Sequence, residues 1–336
     1  VKFSGPNSTW YRPETLDELI KLRTSMPDAR LISGASTMGF LPKNPSGNVY
    51  IVTSAVSELK ELKISSMDKL DCLHVGAGVT VTELRELLEL KTRDEIPCSI
   101  LRALLDTLNH FDIPSVANIA TVGGNVAGAS PTSDINVFLL AVGAAVGTRS
   151  HDAVRTTTVD QEFFPGYRKT GVKANEIITH LSIPLSTNSK STFAESYKED
   201  QGSATVNAVF TVTFQDGSDV VKEANFAFGG VGATPLLANK AREYLAGKSW
   251  SEDTCSKVCS LLYEELGLPQ GSPGGAEQYR NCLVTSLFFR FFTRVADCLK
   301  RAGHTGSNSP NVDASVLPVN YADTARESIQ VFEDPA

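Results

Sequence analysis

Residues 120–134 read ATVGGNVAGASPTSD. Gly123, Gly124 and Asn125 stand between apolar neighbours, small residues follow, and Asp134 closes the run. A strand favours β-branched residues and is weakened by glycine. A helix interior loses stability with each glycine. The stretch therefore reads as backbone that bends sharply or lets another group approach closely. It offers exposed amides at Gly123, Gly124 and Asn125, the Thr121 hydroxyl, and a carboxylate at Asp134 that accepts from sugar-like hydroxyls. Asp134 capping a helix over 135–142 is the alternative reading of the same end.

A second small-residue loop lies upstream, LISGASTMGF at 31–40. A short apolar strand runs into Gly34, then into small and hydroxyl residues. Successive amides in such a turn converge into an anion-binding nest, and Ser33, Ser36 and Thr37 add hydroxyl donors. The loop contains neither Gly-Lys-Ser/Thr nor G-x-G-x-x-G, so it is not one of the common nucleotide fingerprints. Two such loops on one α/β framework suit a long dinucleotide, one holding the pyrophosphate and the other the polyol linker.

The chain around these loops is 336 residues long, enough for two or three packed units. Its net charge of −7, without a basic run, gives no sign of nucleic-acid binding. The apolar stretch LLAVGAAVG (139–147) is too short to span a bilayer, which argues against a membrane partner. The opening residues lack a basic region followed by an apolar one, so no signal peptide is expected. The six cysteines form no C-x-x-C pair. That pattern fits a reducing compartment, with the cytosol as default and the peroxisome as second option. Cys255 and Cys259, four apart on an expected helix, read as buried thiols rather than as metal ligands.

Local signals alternate in the first half. Thr15-x-x-Glu18 and Thr80-x-x-Glu83 read as capping boxes opening helices. Strands are expected at 30–33, 50–53, 73–75 and 176–183, and an apolar helical stripe at 100–111. Residues 185–191 (LSTNSKS) are a polar break. After it, 204–214 and 219–228 form a hairpin around Gln215-Asp216-Gly217-Ser218. Helices are expected at 235–246, 251–266 and 277–302, with SLFFRFF (286–292) packed in a core. The polar residues from 303 onward read as a tail.

Three motifs in order, ISGAST (32–37), SVANIATVGGNVAGASPTSD (115–134) and FFPGYRKT (163–170), resemble the FAD domain of the xanthine dehydrogenase and aldehyde oxidase family of molybdenum hydroxylases. TWY near the start, SPGGAEQYR (272–280) and SLFFRFF also resemble the family, and the similarity covers about residues 9–302. The resemblance implies an α/β FAD-binding fold of the vanillyl-alcohol-oxidase type in two subdomains, about 9–60 and 61–185. A small α/β flavoprotein C-terminal subdomain would occupy 192–302, with linkers at 1–8 and 303–336. It implies that Leu31, Ile32, Ser33, Gly34, Ala35, Ser36, Thr37 and Met38 wrap the FAD pyrophosphate. Phe111 packs on the cofactor, and Thr121, Val122, Gly123, Gly124 and Asn125 contact it. Asp134 binds a hydroxyl-bearing part and Ile178 lines the pocket. Tyr167 and Arg168 stand on the flavin face where the electron acceptor docks.

The same resemblance implies an electron-transfer module of an oxidoreductase. It would be reduced by 2Fe–2S clusters and oxidised by NAD or O2, with molybdopterin and the clusters in partner domains or subunits of a homodimeric parent. The chain has no C-x4-C-x2-C spacing of its own. It departs from the family at Ala35, where Asn is common, at Thr37, where Glu is common, and at Ala194, where a cofactor-contacting Lys is expected. A self-sufficient FAD oxidoreductase of this fold and a degenerate scaffold without flavin are the two alternatives.

Overall fold

The computed structural model describes residues 1–37, 48–67, 70–93, 99–111, 113–185, 191–199, 205–301 and 303. Met38 and the expected tail after 303 lie outside them. A small unit begins the chain: β1 (Lys2–Ser4), β2 (Thr9–Tyr11), α1 (Leu16–Ser25), β3 (Arg30–Ile32) and β4 (Val49–Val52). Its sheet has the order β1-β2-β4-β3, parallel except for β1 against β2. The expectation of a linker over 1–8 is corrected, because Lys2–Ser4 pair with Thr9–Tyr11. Thr15 accepts from the Glu18 amide and starts α1. The helix buries Leu16, Leu19 and Ile20 against Ile51, Val56, Leu59 and Ile177.

The second unit holds β5 (Leu62–Met67), β6 (Leu70–Gly76), α2 (Val81–Arg93), α3 (Ser99–Asn109), α4 (Pro114–Ala117), α5 (Val122–Gly128), α6 (Asp134–Ala141), β7 (Ala145–Arg149), β8 (Val154–Thr158) and β9 (Ile177–Pro184). The strands form an antiparallel sheet in the order β5-β6-β9-β7-β8. Thr80 and Glu83 bond each other's amides, a reciprocal capping box at the start of α2. Leu73, Val75, Leu181 and Ile183 on the sheet meet Leu84, Leu104 and Phe138 on the helices in one buried core. The apolar run 139–147 divides here: Gly143 at φ +60 follows α6, and the chain then reverses into β7. Gly147 on β7 leaves the space that the His180 ring fills, with its Cε1 2.1 Å from where a Cβ would stand.

The third unit comprises β10 (Thr192–Glu199), β11 (Val206–Phe214), β12 (Val221–Gly229), β13 (Leu236–Leu237), α7 (Asn239–Leu245), α8 (Glu252–Leu266) and α9 (Glu277–Arg301). Its four strands are antiparallel in chain order. The expected hairpin is present, with Gly217 at φ +68 in its turn. The first of the three expected helices is shorter than predicted, because Leu236–Leu237 pair with β12 before α7 begins. Phe288, Phe291 and Phe292 of α9 are buried against Phe210, Phe226 and Trp250. Trp250 keeps its indole N–H satisfied on the Phe292 carbonyl at 3.1 Å.

Candidate functional site

The two small-residue bends touch. A Cβ on Gly34 would stand 1.4 Å from the Ile119 carbonyl oxygen and 3.2 Å from the Ala120 amide nitrogen. Only a residue without a side chain allows that approach. β3 ends at Ile32, whose carbonyl accepts from the Thr53 amide at 2.8 Å. Beyond it, the amides of Ser33 to Thr37 donate to no backbone or side-chain acceptor among the described residues. Ala35 and Thr37 are exposed, and Ala35 has φ +59. A row of open amides in a turn of this kind favours an anion.

The second bend works differently, and the expectation of exposed amides there is corrected. Residues 122–128 form the helix α5, seven residues long. Val122 N–H donates to the Val79 carbonyl and Gly123 N–H to Ala77, both at 3.0 Å. Gly124 N–H donates to Thr121 Oγ1 at 3.2 Å, and Asn125 N–H to the Thr121 carbonyl at 2.9 Å. Gly123 is required because Ala77 lies where its side chain would be, with its Cβ 2.5 Å and its oxygen 2.7 Å away. Residues 122–125 supply space and a fixed surface, with their amides already bonded.

Asp134 does not cap α6; Ser133 does, accepting from the Asn136 amide at 3.2 Å and donating to Asn125 Oδ1. Asp134 is the first helical residue and is 9% exposed. Its Oδ1 accepts from Asn207 Nδ2 at 2.5 Å, and its Oδ2 lies 3.5 Å from Lys198 Nζ. Lys198 also donates to the His110 carbonyl at 2.8 Å, next to half-buried Phe111. Ile178, half-buried on β9, packs on the same core, and Ala194 is buried in it. The loops at 31–37 and 120–134 are thus contiguous, and the second runs on to Phe111 through Asp134 and Lys198. Sequence reasoning missed Lys198, Asn207 and Ser133; Lys198 and Asn207 reach Asp134 from more than 60 residues along the chain.

Tyr167 and Arg168 sit elsewhere, at the tip of a tight turn closed by Lys169 N–H on the Gly166 carbonyl. Tyr167 is 61% exposed, and the Arg168 guanidinium lies 5.7 Å from its ring. Among the described residues, no hydrogen bond ties this pair to the two bends. Their loop is held at its base by Arg155, which donates to both Glu176 oxygens at 2.9 and 2.6 Å. The guanidinium and the Lys173 amide hold the Glu176 carboxyl below its ordinary value. A depressed carboxyl stabilises the fold above the unfolded value and loses that contribution as pH falls through the folded one. Glu176→Gln is therefore expected to lower stability at neutral pH by about 1.5–3 kcal/mol. The gap from wild type should close on acidification below about pH 4.5, the usual carboxylate range. Urea unfolding across pH checks both.

A row of open amides on a glycine contact and a carboxylate fixed at a helix start are features of an α/β domain suited to a cofactor with a diphosphate. Residues 2–186 match the FAD binding domain in molybdopterin dehydrogenase, and 191–295 match the CO dehydrogenase flavoprotein C-terminal domain; the chain belongs to this family of FAD-binding oxidoreductase domains. It is 33% identical over 326 residues to a xanthine dehydrogenase/oxidase of Gallus gallus, covering 96% of this chain and 24% of the relative. A nicotinate hydroxylase of Emericella nidulans is 34% identical, with 87% and 22% covered. The chain thus spans about a quarter of the length of these curated relatives. Among solved structures, quinoline 2-oxidoreductase from Pseudomonas putida 86 shares the fold with a TM-score of 0.72 at 24% identity, covering 88% of this chain and 99% of that one. The family expected from the motifs and the two-part α/β fold both hold.

Ala35 stands at φ +59, where asparagine tolerates the left-handed backbone better than alanine. Ala35→Asn is expected to stabilise the FAD-free chain by about 0.5–1 kcal/mol. A shift of the urea midpoint without a change in slope checks it.

Proposed function

We propose that this chain is the flavin module of a molybdenum hydroxylase. It takes electrons from 2Fe–2S clusters in a neighbouring domain or subunit and passes them to NAD or O2. The open amides of Ser33 to Thr37, seated on the second bend through Gly34, carry the reading. They would hold the pyrophosphate. Thr121 to Asn125 would form the surface on which the cofactor lies, and Asp134, Phe111 and Ile178 its further contacts. A bound flavin accepts electrons singly and releases them in pairs, which is the chemistry this position requires. Tyr167 and Arg168, exposed on their turn, would meet the acceptor. The substrate reaction belongs to the molybdenum-cofactor partner, and the parent enzyme would be a homodimer of the cytosol. Among the described residues, no helix is long and apolar enough to cross a membrane.

The purified chain is expected to bind one FAD and to keep the flavin absorption bands through gel filtration. A colourless chain that ignores added FAD contradicts the proposal and favours a scaffold. Rapid mixing of the loaded chain with NADH then separates the acceptors: reduction supports NAD, and a flavin that stays oxidised leaves O2.

A further inference from the structure

Leu73, Val75, Leu181 and Ile183 turn one face of the second sheet to the helices, so His74 and His180 alternate onto the other. Their rings stack across β6 and β9, 4.3 Å between centroids and 26° between planes, and both are half-buried. Thr179 Oγ1 donates its one proton to the Gly147 carbonyl at 3.1 Å, so at 3.0 Å it accepts from His180 Nδ1–H. A further proton on His180 therefore goes to Nε2. His74 Nε2 lies 3.4 Å from Glu61 Oε2, and the other oxygen of that carboxylate is paired with Lys63 at 2.5 Å. One carboxylate, already shared with a lysine, thus faces two stacked imidazoles. Around the rings β7 presents Ala145 and Gly147, and β6 and β9 add Cys72 and Ser182. The charges nearby are engaged elsewhere or open to solvent: Glu58 accepts from the Leu16 amide, Arg149 pairs with Asp17, and Lys60 is exposed. Burial pushes the His74 imidazole below its ordinary value, with Glu61 opposing and Lys63 adding to the effect. Burial and then the charge of His74 push His180 down, again against Glu61.

The pair adjoins the turn on which the second bend rests. Gly76 N–H donates to the Glu61 carbonyl at 2.6 Å, Ala77 N–H to Thr179 at 2.9 Å and Gly78 N–H to Leu59 at 2.7 Å. Two of these acceptors are Glu61 itself and the residue before His180. A Cβ on Gly76 would stand 2.3 Å from the Leu59 oxygen, so turn and segment are in direct contact. From the same turn the Ala77 and Val79 carbonyls accept from Gly123 and Val122, both at 3.0 Å. We propose that His74 and His180 are a proton-operated latch beside the flavin site. Neutral, they hold β6, β9 and the 59–61 segment together; doubly protonated, they part, and the 76–79 turn under residues 122–125 loosens. Two charges at stacking distance repel, and Glu61 offsets only one of them. Histidines kept neutral by the fold stabilise it above their ordinary value. That contribution is lost as pH falls from there through the folded value.

The effect on the cofactor rests on the flavin reading of the site, and the test separates the two. FAD is titrated into the purified wild-type chain, H74Q, H180Q and the double variant between about pH 7.5 and 5.5, the histidine range. The charges of FAD itself do not change there. The wild-type dissociation constant is expected to rise at least fivefold on acidification, and less than twofold in all three variants, since the repulsion needs both charges. A level wild-type affinity overturns the proposal, as does a folded double variant that keeps the wild-type slope. A slope kept by either single variant shows one histidine acting alone and overturns the paired latch. Hydrogen exchange of the FAD-free wild type, corrected for the intrinsic effect of pH, is the second readout. Residues 76–79 and 122–125 are expected to lose protection together at the acid end. Unchanged protection of either stretch overturns the proposal, also where the variants fail to fold. A chain that binds no FAD at either end of the range overturns the flavin reading, and the exchange result then decides the latch.

Discussion

Gly34→Ala is expected to abolish FAD binding and to destabilise the chain by more than about 4 kcal/mol. The added methyl would lie 1.4 Å from the Ile119 oxygen and 2.4 Å from its carbonyl carbon. Those atoms are backbone, so no rotamer change relieves the overlap. Ile119 is also fixed, because the Ala120 carbonyl next to it accepts from Val81 at 2.9 Å and the Ile119 amide donates to Val116. The first bend must therefore lift away from the second, carrying the open amides off the surface they share. Gly128→Ala is the control: no atom lies within 4 Å of the added carbon, and FAD binding is expected to persist. Flavin retained through gel filtration and urea unfolding of the two variants give the comparison. Wild-type affinity in Gly34→Ala would show that the contact between bends does not build the site.

Arg280→Ala is expected to cost about 3–5 kcal/mol while leaving the FAD affinity of the folded chain nearly unchanged. Arg280 is 7% exposed and donates to three carbonyls: Gly275 at 2.8 Å, Gly230 at 2.9 Å and Pro273 at 3.0 Å. It fastens the 273–275 loop to the end of β12. Gly230 in turn donates to the Pro131 carbonyl, so the second bend is braced from the third unit. Truncation leaves the Gly230 carbonyl buried without its charged donor. Lysine is expected to recover only part of the loss, since an ammonium cannot reproduce the planar fork that reaches three acceptors. Urea midpoints for the alanine and lysine variants check the ordering.

These two sites differ in how far the sequence alone exposes them. The helix starts at Thr15 and Thr80 were legible because a Thr-x-x-Glu motif is contained within four residues. The hairpin at 206–229 and the phenylalanines of α9 were legible for a similar reason, as alternation and helical spacing are local. β1 and β13 were not, since strands of three and two residues carry little pattern of their own. β7 was hidden in an apolar run whose division depends on Gly143 turning. At the site, the open loop at 33–37 was readable from small residues after a strand. The role of Gly123 was half readable: close approach was evident, but the approaching group is Ala77, 46 residues upstream. Its amide looked exposed because its acceptor, the Ala77 carbonyl, is distant in sequence. Lys198 and Asn207 lay beyond reach for the same reason, meeting Asp134 across more than 60 residues.

Hydrogen exchange of the wild-type chain with and without saturating FAD tests the shared claim most directly. Bound cofactor should strongly slow the amides of Ser33 to Thr37, which have no acceptor among the described residues, and change those of Val122 to Asn125 far less, because they are already bonded. FAD that binds while 33–37 exchanges as fast as before would contradict the account, and would place the diphosphate somewhere other than on the first bend.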